Sequence, residues 1–153
     1  MLLGSLYAGF GFYFFYATRA MEDGLALFFF ILFTIWATDS GAYFVGRAFG
    51  KRKLWPEISP KKTIEGAIGG IGSAIILAVI FQMIYPLFSN GAVIVVAVMI
   101  AVFGQIGDLV ESALKRYYDV KDSGNILPGH GGILDRFDSL IFVLPILHLF
   151  ILH

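Results

Sequence analysis

Five apolar stretches, each closed by charge or by a proline or glycine turn, leave this chain few folds. They run from about Leu2 to Ala17, Gly24 to Phe49, Thr63 to Tyr85-Pro86, Gly91 through Leu109 with a helical pattern continuing toward Tyr118, and Phe137 to the end. A helix needs roughly 17–25 apolar residues to cross a hydrocarbon core. Inside lipid a backbone satisfies its own polar groups only as a helix or in a closed barrel. These stretches are too long and too uniformly apolar for barrel strands. The expected fold class is therefore all-α, a polytopic membrane protein of about five transmembrane helices.

Composition agrees: 58% of residues are hydrophobic and 14% charged, whereas soluble domains carry about 25% charged residues. Net charge is zero, so nothing in the bulk electrostatics favours nucleic acid, and the placement of charge has to carry the argument. The absence of cysteine excludes disulfides, thiolate metal sites and cysteine nucleophiles. No basic leader precedes the first apolar stretch, so a cleaved signal peptide is not expected.

Basic residues set the orientation. Arg47, Lys51, Arg52, Lys53, Lys61 and Lys62 follow the second stretch, and Lys115, Arg116, Lys121 and Arg136 separate the fourth from the fifth. The opposite side offers Arg19 beside Glu22 and Asp23, and the uncharged turn Ser89-Asn90. Both basic segments are expected to face the cytoplasm from a cell (inner) membrane, with the chain ending on the far side. Residues 1–153 form one unit without internal repeats.

Topology does not account for the carboxylates. A charge at the centre of a spanning helix costs about 2.5–3.5 kcal/mol on insertion scales. Even so, Asp39 interrupts the second apolar stretch, and Asp108 ends the run from Val93 to Phe103. Both fall toward the cytoplasmic end, where pairing with nearby lysines is one explanation. Asp108, Ser112 and Lys115 are spaced i, i+4 and i+7 on one helix face, with Arg116 on its edge. Asp39, Tyr43 and Arg47 form a similar stripe. Beyond a Gly-rich turn, Pro128-Gly129-His130-Gly131-Gly132, come Asp135, Arg136 and Asp138 at the entry of the fifth helix.

One membrane face thus collects Asp108, Asp135 and Asp138 with Lys115, Arg116, Lys121 and Arg136. Magnesium takes oxygen ligands, typically one or two carboxylates plus substrate phosphates. Lysine and arginine then neutralise the remaining phosphate charge. Ser59-Pro60-Lys61-Lys62-Thr63 predicts a helix start, with Ser59 as N-cap and Pro60 in the first turn. Such an N-terminus beside two lysines can hold an anion. Gly66, Gly69, Gly70 and Ser73 predict close packing against another helix.

The segment 112–138 reads Ser112-Ala113-Leu114-Lys115-Arg116, then Lys121-Asp122-Ser123-Gly124, then Leu127-Pro128-Gly129-His130-Gly131-Gly132-Ile133-Leu134-Asp135-Arg136-Phe137-Asp138. It resembles the signature of the phosphatidate cytidylyltransferase (CDP-diacylglycerol synthase) family. Asp39-Ser40-Gly41-Ala42-Tyr43-Phe44 with Gly46, Ser59 to Thr63 with Glu65-Gly66 and Gly69-Gly70, and Gly104-Gln105-Ile106-Gly107-Asp108-Leu109 are similar to the same family. The chain looks like the family's C-terminal portion and is expected to lack further N-terminal helices.

The resemblance implies transfer of a cytidylyl group from CTP to phosphatidic acid, with magnesium and a monovalent neighbour such as K+. It implies metal carboxylates Asp108 and Asp135, with Asp138 nearby as support. Lys115, Arg116, Lys121 and Arg136 would bind the triphosphate or the lipid phosphate, with Lys115 and Arg116 acting beside the metal carboxylates in catalysis. Asp39, Ser59, Lys61, Lys62, Thr63, Glu65, Ser112, His130, Gly131 and Gly132 complete the implied substrate site. The attacking lipid phosphate has a second pKa near 6 and is already largely a dianion at neutral pH. His130 therefore reads as a hydrogen-bond donor or turn residue before a general base. The alternatives are a CTP-dependent lipid kinase of the dolichol or phytol type, a transporter using Asp39 and Asp108 as coupling carboxylates, and a non-catalytic membrane fragment. Oligomeric state, a homodimer included, is left open.

Overall fold

The computed structural model describes residues 2–117 and 134–150, with side chains over 9–89, 91–117 and 139–150. Among the described residues the chain forms five helices and one small hairpin: α1 (Leu2–Ala20), α2 (Gly24–Phe49), β1 (Lys53–Trp55), β2 (Ser59–Thr63), α3 (Ile64–Ile84), α4 (Asn90–Tyr117) and α5 (Leu134–Phe150). Three of the helices, α2, α3 and α4, are long and apolar enough to cross a membrane. At 1.5 Å per residue, the 26 residues of α2 extend about 39 Å, longer than the hydrocarbon core. The 19-residue α1 and the 17-residue α5 pack beside them. The all-α membrane architecture expected from the apolar stretches is what the chain adopts.

Helix directions follow from the contacts. α1 and α2 are joined by a turn at Met21–Asp23, where Asp23 takes a left-handed conformation (φ 56°), and Phe15 meets Phe28 with ring centroids 4.7 Å apart. The rings of Phe30 and Phe81, 5.3 Å apart, and the approach of Gly46 to Thr63 make α2 and α3 antiparallel. A second tight turn reverses the chain into α4. Its free amides at Leu87 and Phe88 donate to Gln82 Oε1 at 3.1 and 3.2 Å, while Gln82 Nε2 donates to Phe88 O. α5 runs alongside α1 in the same direction, since Gly11 abuts Ile141 and Thr18 Oγ1 lies 2.8 Å from His148 Nε2. α5 is therefore antiparallel to α4.

The largest buried side chains of the core are Phe30, Ile31, Val96, Ile100, Val143, Leu144 and Leu147 of α2, α4 and α5, with Ala78 of α3 packed among them. Buried hydroxyls within the apolar helices satisfy themselves locally, Thr34 donating to Phe30 O at 2.6 Å and Thr38 to Thr34 O at 2.7 Å. At the end carrying Arg19, the Tyr85 hydroxyl donates to Asp23 Oδ1 at 2.7 Å; this bond holds the phenol's pKa above its ordinary value.

The closest packing is along α2 and α3, and the glycines anticipated for it are the reason. A methyl group added at Gly66 would stand 2.7 Å from Ala42 O, and one at Gly70 would stand 2.8 Å from Thr38 O. Backbones can approach this closely only where one of the two helices carries no Cβ at the contact.

The start of α3 departs from the expectation. Ser59 is not an N-cap, and Pro60 is not in a first helical turn. Both lie in β2, which pairs antiparallel with β1, Lys53 against Thr63 and Trp55 against Ser59. Thr63 is the N-cap: its backbone is extended (φ −125°, ψ 154°) and its hydroxyl accepts from Gly66 N at 3.1 Å. Pro60 is tolerated because a two-stranded ribbon has open edges where no ladder N–H is required. Thr63→Ala should lower stability by about 1 kcal/mol, the usual worth of an N-cap, with Thr63→Ser retaining most of it. Thermal unfolding in detergent checks this ordering.

Candidate functional site

One end of the bundle gathers the end of α2, the hairpin, the start of α3 and the last turns of α4. Between them lies a cavity of about 340 Å³ lined by Asp39, Ala42, Tyr43, Gly46, Arg47, Leu54, Lys61, Lys62, Thr63, Gly66, Ala67, Gln105 and Asp108. Two carboxylates and three cations thus come together from three parts of the sequence in a largely apolar protein. Gly46 and Gly66 make room for this. Their missing side chains let α2 and α3 close around Thr63, since a Cβ on either would stand 2.9 Å from Thr63 Oγ1.

The Asp39, Tyr43 and Arg47 stripe is confirmed as one face of α2, and Arg47 Nη1 donates to the Tyr43 hydroxyl at 3.3 Å. From the hairpin, Lys62 Nζ forms an ion pair with Asp108 Oδ2 on α4. Gln105, one turn before Asp108, donates from Nε2 to Ala101 O at 3.1 Å and to Ala67 O at 3.4 Å, tying α4 to α3 beside the cavity. Sequence reasoning had placed neither Gln105 nor Leu54 in the site. An amide side chain at membrane depth was the available signal for Gln105; Leu54 depends on the hairpin, which periodicity did not reveal.

Other expected site residues stand elsewhere. Glu65 does not line the cavity. Its Oε2 accepts from the backbone N–H groups of Lys51 and Arg52 at 3.0 and 3.2 Å, which pins the α2 exit to the first turn of α3. Ser59 is part of the hairpin, opposite Trp55 and away from the cavity lining. Ser112, Lys115 and Arg116 continue α4 beyond Asp108. Lys115 Nζ lies 3.0 Å from Glu111 Oε1, an i, i+4 pair that the Asp108–Ser112–Lys115 face had not included. Lys121, His130, Gly131 and Gly132 lie outside the described residues.

Asp135, Arg136 and Asp138 are in α5, where the backbone alone places them. Ser139 Oγ donates to Gly104 O at 3.3 Å. A Cβ on Gly107 would in turn stand 2.8 Å from Phe142 Cβ, so α5 crosses the end of α4 through residues 139–143.

The donor set suits a hard divalent cation. Asp39 and Asp108 offer carboxylate oxygens, Thr63 a hydroxyl and Gln105 an amide, and magnesium usually takes one or two carboxylates, leaving other positions to water and substrate phosphate. Among the described residues no cluster of three or more His, Cys, Asp or Glu side chains could hold a metal.

The sequence profile described as "Cytidylyltransferase family" matches residues 1–153. The chain is 57% identical over 148 residues to a protein of Bacillus subtilis (strain 168) named phosphatidate cytidylyltransferase, covering 95% of this chain and 55% of that one. Proteins with the same name from Staphylococcus epidermidis (strain ATCC 35984) and Staphylococcus aureus (strain COL) are 51% and 49% identical over 152 residues, covering 99% of this chain and 58% of each relative. The chain spans a little over half the length of these curated relatives.

Proposed function

The chain belongs to the cytidylyltransferase family, and from that premise we propose that it carries out CTP-dependent cytidylyl transfer to phosphatidic acid, yielding CDP-diacylglycerol and pyrophosphate. The observation that carries this reading is the convergence of Asp39 and Asp108 with Arg47, Lys61 and Lys62 on a single cavity at the basic end of the helices. The positive-inside bias assigns that end to the cytoplasm. There a soluble nucleotide and the phosphate of a bilayer lipid can meet.

The reaction requires alignment of two anions more than it requires a base. A lipid phosphate oxygen attacks the α-phosphorus of CTP and forms a new P–O bond. The bond from α-phosphorus to the bridging oxygen breaks, and pyrophosphate leaves with that electron pair. The attacking monoester is already largely dianionic at neutral pH, so no proton has to be removed. The barrier lies in bringing like charges together and stabilising the charge that moves onto the leaving group.

Each group of the cavity has a part in that task. Asp39, Asp108 and, from the family motif, Asp135 with Asp138 would hold magnesium. When bound, the ion would polarise the phosphoryl oxygens and offset their charge. Lys61, Lys62 and Arg47 neutralise phosphate oxygens, Arg47 with a planar fork suited to two of them. Thr63, at the head of α3, presents a helix N-terminus to an anion. Lys115 and Arg116 would extend the cationic surface outside the cavity toward the lipid phosphate, and the family motif adds Lys121 and Arg136 to that role. A monovalent cation beside the magnesium is compatible with surplus carboxylate oxygens. Tyr43 lines the cavity from α2 and is 59% exposed.

Incubating the purified chain in detergent with phosphatidic acid, magnesium and CTP labelled at the α- or the γ-phosphate tests the proposal. Label from the α-position in the lipid, with pyrophosphate released, is the expected result. Label from the γ-position would make the protein a lipid kinase and refute the transfer.

A further inference from the structure

The ion pair between Lys62 and Asp108 joins the hairpin to α4 across 46 residues of sequence. The lysine and aspartate side chains are 29% and 36% exposed, so both remain open to exchange of partners. Asp108 is also a carboxylate that the proposed function assigns to magnesium. One carboxylate oxygen cannot hold an ammonium and coordinate a divalent ion in the same place. A lysine is suited to yield: its charge sits on a flexible four-carbon stem and its three donors accept many geometries. Its base, in contrast, is fixed, because β2 pairs with β1, Thr63 caps α3, and Glu65 anchors Lys51 and Arg52.

Resting on that reading of the site, we infer that Lys62 is a place-holding cation, which occupies Asp108 in the empty protein and passes to a nucleotide phosphate when the metal enters. The exchange conserves charge at each stage. Before binding, Lys62 neutralises Asp108. Afterwards the metal takes over that role, and the released ammonium meets an anion that arrives with it. Metal binding to the empty protein is then opposed by Lys62, whereas nucleotide relieves the opposition by giving the lysine a new partner. By linkage, metal and nucleotide each strengthen the other's binding. The result is a site that holds free metal weakly and the metal–nucleotide pair well.

The measurement is Mn2+ binding to the purified chain in detergent, read from the spin-resonance signal of free Mn2+, with CTP binding measured separately in its presence. Lys62→Met keeps the stem and removes the charge. It is expected to tighten Mn2+ binding without nucleotide by about two- to fivefold, the scale of a partly exposed ion pair, and to weaken CTP binding by about tenfold or more. Lys62→Gln should do the same, while Lys62→Arg should leave Mn2+ affinity near that of the parent. In an Asp108→Asn background the Mn2+ gain on removing Lys62 should vanish, as a double-mutant cycle requires. Unchanged or weaker Mn2+ binding in both neutral variants would overturn the exchange, and so would unchanged CTP binding. These readouts need no turnover. A chain that forms no CDP-lipid yet shows both binding effects supports the exchange and counts only against cytidylyl transfer.

Discussion

Asp108→Asn is expected to lower cytidylyl transfer by about a hundredfold or more, with the helical signal and the melting temperature close to those of the parent. Asparagine has the same shape and can still accept from Lys62, so the α4–hairpin contact persists in weakened form. What is lost is the negative charge that a divalent ion needs. The structural cost is modest because Lys62 is 29% exposed; water screens its uncompensated charge, and exposed pairs are worth about 0–1 kcal/mol. A large drop in turnover with a small drop in stability is the signature of a group whose role is chemical. Asp135→Asn should behave alike, since the family motif assigns Asp135 to the same ion. Lys115→Ala should cost less than either, because Lys115 is engaged with Glu111 and lies off the cavity. Initial rates of pyrophosphate release beside thermal melts of the same preparations decide the matter. Near-parental rates in Asp108→Asn would remove the metal assignment.

The features legible in the sequence were those fixed by the solvent. Lipid demands helices, so stretches ending at Phe49, Tyr85 and Leu109 announced α2, α3 and the membrane part of α4. Lipid also penalises charge, so Asp39 and Asp108 stood out and both line the cavity. Outside the bilayer this constraint disappears. Ser59-Pro60 fitted a helix start as well as an edge strand, and the choice was settled by β1, whose three residues are too few to show a period. Once the hairpin forms, the cap moves to Thr63 and Glu65 turns to the backbone of Lys51 and Arg52. On α4, helical spacing put Lys115 on the face of Asp108 and gave no sign of its pairing with Glu111, one turn earlier.

Gly70→Leu is expected to be strongly damaging, and the same substitution at Gly72 should be tolerated. The two positions are half a turn apart on one helix, so propensity and hydropathy change equally, and only the surroundings differ. At Gly70 an added Cβ would stand 2.8 Å from Thr38 O and 3.2 Å from Ala42 Cβ and Thr38 Cγ2. The nearest of these atoms is backbone, so no rotamer change relieves the clash and the helices must separate. Overpacking a close contact typically costs 1–3 kcal/mol and occasionally more, and a leucine against main chain belongs at the upper end. At Gly72 nothing lies within 4 Å, and removing a helical glycine should stabilise by about 0.5–1 kcal/mol. The expected shifts therefore have opposite signs, which thermal melts and size-exclusion profiles in detergent would show. Activity should follow stability at Gly70 for a geometric reason. Asp39, Ala42 and Gly46 line the cavity from α2, while Thr63, Gly66 and Ala67 line it from the head of α3. A wedge between these helices draws Asp39 away from the Lys62–Asp108 pair. Gly70→Ala, carrying the clashing atom alone, should fall between parent and leucine in both melting temperature and rate; a Gly70→Leu protein as stable as the Gly72→Leu one would mean that the two helices are not held at this contact.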